Sequence, residues 1–178
     1  MKLVLIGLRG SGKSTAGKIA AQRLDWPFFD TDGIVQERAG LSIRELFEQR
    51  GEGAFRELES AAVLECAANA RAVIATGGGA VLDPRNVAAL KLDGFVVHLS
   101  AEPAVLWHRV SHDTTSFQKR PKLLENAESG IDELKKLMLA RAAIYASARD
   151  VEVDVEERSP DEVADAVLLL MRTRGLLK

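Results

Sequence analysis

Residues Gly7 to Thr15, GLRGSGKST, have the types and spacing of a loop that binds phosphate groups. They match the pattern G-x-x-x-x-G-K-[ST], between an apolar run, KLVLI, and a stretch with helical spacing. The glycines let successive backbone N–H groups point into one concavity, where a helix N-terminus adds positive potential. In such a loop Lys13 contacts the β- and γ-phosphates of a nucleotide, and Ser14 ligates Mg²⁺. The pattern predicts a nucleotide site but does not identify the phosphate acceptor.

Two carboxylates, Asp30 and Asp32, follow the apolar run PFF, where a second strand is expected to end. In a parallel sheet that edge faces the ligand crevice. If the segment stays extended, both side chains point to one side, roughly 6 to 7 Å apart. One carboxylate could then face Mg²⁺ and the other an acceptor hydroxyl. The alternative is a turn in which Asp32 caps the next helix.

Three further stretches could contact an acceptor. Arg56 lies in FRELE with helical spacing, where it could equally be a solvated partner of neighbouring glutamates. Thr76 to Gly79 places three glycines after a buried strand, which indicates a close approach of backbone to a ligand, although a tight turn is the alternative. Arg141 opens RAAIY on a later helix and could be a surface residue.

A polar stretch, Ser111 to Ser129, has weak periodicity and is predicted to form a mobile flap. It contains the basic group Lys119 to Lys122. Such a group can move over transferring phosphates, stabilise their charge and exclude water. A solvated run of charges is the alternative.

Composition restricts the class of protein. The chain has 178 residues, 47% of them hydrophobic, and a net charge of -2. It is long enough for one compact domain, and its charge balance does not favour nucleic acid or an anionic membrane as a partner. A single cysteine, Cys66, is predicted to be a buried thiol, which suits the cytoplasm, and the short N-terminal apolar run predicts neither export nor membrane insertion.

Five short apolar runs alternate with helical stretches, which predicts an α/β fold with a parallel sheet covered by helices on both faces. The run VEVDV alternates polar and apolar residues, so it is expected at a sheet edge. Ser42 and Ser159 each begin a capping box, and helices are expected to be inserted after the second strand.

Together, GLRGSGKST, DTD, FRELE, TGGG, RP and RAAIY occur in the order and approximate spacing of the shikimate kinase family, which the chain resembles along nearly its whole length. The resemblance implies a three-layer P-loop kinase fold, like that of nucleoside-monophosphate kinases, with a five-stranded parallel sheet and a mobile lid. It implies transfer of the γ-phosphoryl group of ATP to the 3-hydroxyl of shikimate, in aromatic amino-acid biosynthesis. A monomer is expected, with residues 1–178 as one kinase domain, acceptor-binding helices at about 33–60 and a lid at about 111–125.

The resemblance also implies a role for each matching residue. Lys13, Asp32 and Arg120 would be catalytic. Mg²⁺ would be held by Ser14 and Asp30. Shikimate would be bound by Asp32, Arg56, Gly78 and Arg141. The nucleotide would be bound by Gly10, Ser11, Gly12, Lys13, Ser14, Thr15, Arg109, Arg120 and Arg158.

The lid departs from the family pattern, because it has RPKLL, with Lys122 inserted, in place of RPLL, and the stretch before it is longer. Two other functions stay open at this stage. One is a kinase of the same scaffold with another acceptor, such as gluconate or a nucleotide. The other is a domain that binds the ligand without turnover. Retention of Lys13, Asp30 and Asp32 favours an enzyme, and so does a chain that begins at its first strand, without a DNA-binding segment.

Overall fold

The computed structural model describes residues 1–113 and 127–177, and all five predicted strands form in it. They are β1 Lys2–Ile6, β2 Phe28–Asp30, β3 Ala72–Ala75, β4 Gly94–Ser100 and β5 Val151–Asp154. The strands pair in the order β2-β3-β1-β4-β5, and every pair is parallel. The α/β prediction with a five-stranded parallel sheet is therefore confirmed.

The helices of the described residues connect these strands. They are α1 Lys13–Leu24, α2 Thr31–Ala39, α3 Ile43–Ala67, α4 Pro84–Lys91, α5 Pro103–His112, α6 Gly130–Ala148 and α7 Pro160–Thr173, with one 3₁₀ turn, Ala80–Leu82. From β1 to β2 the chain crosses the sheet towards one edge, and from β2 through β3 and β4 to β5 it crosses towards the other edge. Because the crossovers are right-handed, α1 lies on one face of the sheet and α2 to α6 lie on the other. Helix α7 packs against α1. The sheet is thus covered on both faces, as predicted.

The strand sequences explain their positions in the sheet. Strands β1 and β3 are buried at every residue, as apolar runs at the centre of a parallel sheet should be. Strand β5 lies at the edge and exposes Glu152 and Asp154, which confirms the prediction from VEVDV. Strand β1 pairs with β3 on one side and β4 on the other, so the loop after β1 emerges near the middle of the sheet's carboxyl edge.

The helix starts follow the capping signals in the sequence. Ser42 and Ser159 both form capping boxes, with Glu45 and Glu162 as their partners. Pro160 occupies the first turn of α7, where its missing N–H has no cost. Both predicted caps are confirmed.

Helix α3 contains a bend that matters for the site. Gly51 has φ 78° and ψ 172°, so it interrupts the helical backbone between residues 43–50 and 52–67. A small second core, separate from the main one around the sheet, lies where α2 and α3 meet; it contains Val35, Ile43, Leu46, Phe55 and Ala62. The bend and this core together form a lobe beside the carboxyl edge of the sheet.

The predicted buried thiol is also present, since Cys66 is 1% exposed in the main core, and burial raises its pKa to about 11. Across the described ranges, no helix is long and apolar enough to cross a membrane.

Candidate active site

The phosphate loop joins β1 directly to α1. Gly10 and Gly12 adopt left-handed backbone conformations, with φ 84° and 83°, which L side chains rarely adopt. A Cβ at Gly10 would also lie 2.6 Å from the carbonyl oxygen of Leu106. The loop therefore needs glycine at this position for both conformation and space.

Lys13 begins α1 and is buried, at 8% exposure. Its ammonium group donates hydrogen bonds to the Leu8 carbonyl, at 2.9 Å, and to Ser11 Oγ, at 3.3 Å. The lysine side chain therefore folds back along the loop and brings a positive charge to its concave side, where anionic phosphates bind.

The segment Asp30 to Asp32 differs from the extended prediction. Strand β2 ends at Asp30 and α2 begins at Thr31, so Asp32 lies in the first helical turn. Asp30 is the cap: its Oδ1 accepts from the backbone N–H groups of Asp32, at 3.1 Å, and Gly33, at 3.4 Å. The alternative prediction of a cap was correct in kind but assigned the cap to Asp32, which was wrong. An aspartate before a helix start satisfies the first N–H groups better than one inside it.

The other oxygen of Asp30 contacts the phosphate loop. Ser14 Oγ donates a hydrogen bond to Asp30 Oδ2 at 2.5 Å. Ser14 Oγ and Asp30 Oδ2 are neighbouring oxygen ligands of the kind that bind hard cations, and they lie beside the loop that would hold the phosphates. Mg²⁺ is usually bound by one or two protein oxygens together with substrate phosphates, so this pair fits that ion.

A cavity surrounds the phosphate loop, here called the nucleotide cavity. Every predicted nucleotide-binding residue in the described ranges lines it: Gly10, Ser11, Gly12, Lys13, Ser14, Thr15, Arg109 and Arg158. Arg109 donates to the carbonyls of Val155, at 2.6 Å, and Glu156, at 3.0 Å, while Arg158 donates to the carbonyl of Asp154, at 3.0 Å. These bonds fix both guanidinium groups beside the loop that follows β5.

A second cavity, here called the acceptor cavity, lies between the phosphate loop, α3, α6 and the glycines after β3. The predicted substrate-binding residues all line it: Asp32, Arg56, Gly78 and Arg141. Apolar residues complete its wall: Leu8, Ile43, Phe47, Phe55 and Leu137. A small polar acid with an apolar ring face would meet charge on one side and hydrocarbon on the other.

Arg56 is held by two glutamates of its own helix. It donates to Glu59 at 2.7 Å and to Glu52 at 3.0 Å. Burial disfavours its charge, but the two glutamates more than offset this and raise the pKa of Arg56. The prediction of a partner of neighbouring glutamates and the prediction of an acceptor-site residue are therefore both consistent with its position.

Glu59 is 2% exposed and lies among charged groups. The pKa of its carboxyl is raised, mainly by burial and also by the charge of Asp32, and Arg56 and Arg141 oppose this shift only in part. A Cβ at Gly77 would lie 2.5 Å from Asp32 Oδ1 and 2.6 Å from Glu59 Oε1. Both carboxylates thus pack against Gly77, which explains why the backbone has no side chain there.

The other two glycines of TGGG meet the two arginines. A Cβ at Gly79 would lie 2.2 Å from Arg56 Nη1. Gly78 O accepts a hydrogen bond from Arg141 Nη1 at 3.0 Å and another from the Tyr145 hydroxyl at 2.6 Å. The glycine stretch therefore lies between two guanidinium groups from different helices.

Several residues of this site had no assigned role in the sequence. Glu59 was noted only as a neighbour of Arg56, and Arg9 and Glu133, which form a buried ion pair, were not identified. They lie 124 positions apart in the chain, so spacing could not reveal them. Glu59 lies three residues after Arg56, which is the helical spacing behind the predicted pairing of Arg56 with neighbouring glutamates.

Arg120 and most of the predicted lid lie outside the described residues, so its assignment stays a prediction. The start of the predicted flap was wrong, since α5 continues through Ser111 to His112. At the other end, Ser129 caps α6 by accepting from the N–H of Asp132.

The two cavities meet. Asp32 and Arg9 line both of them, so the acceptor cavity opens onto the place where the last phosphate of a bound nucleotide would lie. A phosphate loop beside a polar pocket with an aspartate between them can align a hydroxyl with a phosphoryl group.

The fold and the site define an ATP-dependent phosphotransferase with the P-loop kinase fold. A family model described as shikimate kinase matches residues 9–172. The chain belongs to the shikimate kinase family.

Named relatives agree with this membership over almost the whole chain. Shikimate kinase from Symbiobacterium thermophilum is 39% identical over 175 residues, which are 98% of this chain and 98% of that protein. Shikimate kinase from Geobacter sulfurreducens is 41% identical over 170 residues, which are 96% of this chain and 90% of that protein. A solved structure of shikimate kinase from Acinetobacter baumannii in complex with shikimate has a TM-score of 0.90 and 28% identity, and covers 99% of this chain and 95% of that one.

Proposed function

We propose that the protein transfers the γ-phosphoryl group of ATP to the 3-hydroxyl of shikimate, giving shikimate 3-phosphate and ADP. The observation that carries this is the acceptor cavity, in which Arg56 and Arg141 approach one glycine stretch beside the phosphate loop. Guanidinium groups suit a planar carboxylate, because they donate paired hydrogen bonds to it. Family membership and the shikimate complex of a similar structure support the same acceptor.

The nucleotide would be held by the phosphate loop, Gly10 to Thr15, with Lys13 at its β- and γ-phosphates. Arg109 and Arg158 would flank the adenine at the other end of the nucleotide cavity, a position supported by their contacts beside the loop after β5. Arg120 would meet the phosphates from the lid. This role rests on the sequence pattern alone.

Mg²⁺ would be held by Ser14 and Asp30, either directly or through water. When bound, it offsets negative charge on the phosphates during transfer. The pair of oxygens at 2.5 Å beside the phosphate loop supports this assignment. Within residues 1–113 and 127–177, no group of three or more His, Cys, Asp or Glu side chains that could hold a metal ion is present.

Asp32 would orient the acceptor hydroxyl and accept its proton. The hydroxyl oxygen forms a bond to the γ-phosphorus while the bond to the β–γ bridging oxygen breaks, and that oxygen leaves as part of ADP. Because phosphoryl transfer depends mostly on alignment and on stabilising charge, an ordinary aspartate suffices. Arg56 and Arg141 would bind the carboxylate, and Gly78 would contact the acceptor through its backbone.

We also propose that the whole chain acts as one kinase domain and as a monomer in the cytoplasm. The participation of all five strands in one sheet supports the first statement, and the lone buried Cys66 suits a reducing compartment. Light scattering at micromolar concentration tests the oligomeric state.

The decisive experiment is an ADP-release assay with ATP and Mg²⁺ across shikimate, quinate, gluconate and nucleoside monophosphates. Turnover selective for shikimate is expected. Selective turnover of another acceptor would leave a kinase with a different substrate. Nucleotide binding without turnover of any acceptor would indicate a ligand-binding domain and contradict the proposal.

A further inference from the structure

The carbonyl oxygen of Gly78 is shared by two donors from one helix. Arg141 Nη1 donates to it at 3.0 Å and the Tyr145 hydroxyl at 2.6 Å, and both residues lie on α6, one turn apart. A carbonyl oxygen has two lone pairs, so these two bonds use its full accepting capacity. The middle glycine of the TGGG stretch is therefore fixed to α6 at two points.

Tyr145 is itself tightly held. It is 3% exposed, and its ring stacks on His98 with centroids 4.5 Å apart and planes 7° apart. Burial raises its pKa to about 12 and lowers the pKa of His98 to about 4. At neutral pH both rings are therefore uncharged, and the tyrosine hydroxyl keeps its proton and donates a hydrogen bond to the Gly78 carbonyl.

The glycine stretch contacts both arginines of the acceptor cavity. Arg56 packs against Gly79, and Arg141 bonds to Gly78. At the start of the stretch, the N–H of Gly77 donates a hydrogen bond to Oγ1 of Thr31, the first residue of α2, at 2.9 Å. The stretch is thus tied at Gly77 to α2 and at Gly78 to α6, and a shift at Gly78 would move Arg141 relative to Arg56.

We propose that Tyr145 is a positioning residue that holds Gly78 and Arg141 in register for the acceptor's carboxylate. This inference rests on the proposed function, because it concerns the same acceptor cavity. Tyr145 does not line that cavity, so it acts through the groups it holds. The Tyr145 hydroxyl donates to one lone pair of Gly78 O, and one N–H of Arg141 donates to the other. The bond from Arg141 fixes the orientation of its guanidinium group, and so also the direction of its remaining N–H groups.

The test is Tyr145→Phe, which removes only the hydroxyl and keeps the ring on His98. The KM for shikimate is expected to rise about tenfold, with the KM for ATP unchanged within twofold and kcat reduced less than threefold. His98→Phe serves as the matched control, since it retains ring stacking and leaves the Tyr145 hydroxyl in place. A KM for shikimate that stays within twofold in Tyr145→Phe, or one that rises together with the KM for ATP, would overturn the proposal even if the melting temperature falls.

A second measurement does not depend on any variant. Tyr145 is the single tyrosine of the chain, so tyrosine labelled with ¹³C at Cζ gives one resonance. Shikimate is expected to shift this resonance saturably, whereas ATP with Mg²⁺ alone leaves it in place. A resonance that ignores an acceptor at saturating concentration contradicts the role.

The two hypotheses fail separately. Wild-type turnover of shikimate establishes the proposed function before any variant is measured. If the wild type turns over a different acceptor, the proposed function fails, and the same kinetic and NMR measurements are made with that acceptor. Normal shikimate turnover with a normal Tyr145→Phe KM refutes only the positioning role.

Discussion

The Ser14 hydroxyl donates a hydrogen bond to Asp30 Oδ2 at 2.5 Å, which joins the start of α1 to the end of β2. These residues lie 16 positions apart in the chain: Ser14 is in the first turn of α1, and Asp30 is the last residue of β2. Asp30 caps α2 with its other oxygen, so one carboxylate both begins a helix and faces the phosphate loop.

Asp30→Asn tests the magnesium role of this pair. Asparagine keeps the Oδ1 cap of α2 but removes the negative charge, so stability should change little. Apparent affinity for Mg²⁺ should fall about 10- to 100-fold, as expected when a group that holds or orients a metal is lost. The measurement is the Mg²⁺ dependence of turnover at fixed ATP. Asp83→Asn is the control, because Asp83 caps α4 in the same way and lines neither cavity; an equal effect in both variants would contradict the assignment.

Gly79→Ala tests the contact between the glycine stretch and Arg56. The added Cβ would lie 2.2 Å from Arg56 Nη1, so the guanidinium must move. Overpacking costs about 1–3 kcal/mol, which predicts a rise of about tenfold or more in the KM for the acceptor. Gly53→Ala is the control: nothing lies within 4 Å of its Cβ position, and alanine in a helix should stabilise the protein by about 0.5–1 kcal/mol. A normal acceptor KM in Gly79→Ala would show that Arg56 does not bind the acceptor in this position.

Arg9→Met tests the buried ion pair between the phosphate loop and the first turn of α6. The side chains of Arg9 and Glu133 are 11% and 2% exposed, so removing the guanidinium takes a countercharge from a buried carboxylate. The free energy of unfolding should fall by about 3–5 kcal/mol in urea titrations. Arg23→Met, which breaks exposed pairs to Asp161 and Asp165, should cost less than about 1 kcal/mol. Combining Arg9→Met with Glu133→Leu should restore much of the loss; a double variant no more stable than Arg9→Met would contradict the electrostatic explanation.

His98 predicts a loss of stability on acidification. Its pKa is lowered from 6.5 to about 4: burial is the largest cause, Glu152 partly opposes it, and Arg149 and Lys13 act in the same direction as burial. Between these values the unfolded chain binds a proton that the folded chain does not, so stability is complete above pH 6.5 and falls as the pH falls towards 4. The full loss is up to about 3 kcal/mol. His98→Phe keeps the stack on Tyr145 but cannot titrate, so its unfolding free energy should fall less between pH 6.5 and 5 than that of the wild type. Parallel curves for the two proteins would refute this contribution.

Local patterns in the sequence were sufficient for the elements and for most of the site. Apolar runs predicted the strands, Ser42 and Ser159 predicted helix starts, and the phosphate-loop pattern predicted the residues around one cavity. The residues predicted for the acceptor belong to short motifs that match the family pattern, and they line one cavity; their role stays a prediction. Of the two alternatives for the DTD segment, the extended one was wrong, because the sequence after a strand does not show where the next helix begins.

Contacts between distant segments could not be predicted in this way. Tyr145 reaches Gly78 across 67 positions, and Arg9 reaches Glu133 across 124. Such pairs depend on how α6 packs over the sheet, and no periodicity or spacing records that packing. A tyrosine at the end of RAAIY looks like any core aromatic until the carbonyl that accepts its hydrogen bond is known.

The bend at Gly51 brings both arms of α3 to the acceptor cavity. Ile43 and Phe47, before the bend, and Phe55, after it, contribute apolar wall, whereas Arg56, after the bend, contributes charge. Phe47 and Phe55 contact each other across the bend, with ring centroids 4.7 Å apart, so the two arms are packed together as well as joined by the chain. Because Arg56 also lies over the Phe55 ring, a substitution that resizes the apolar wall is expected to shift Arg56 as well, so the size and the charge of this cavity change together.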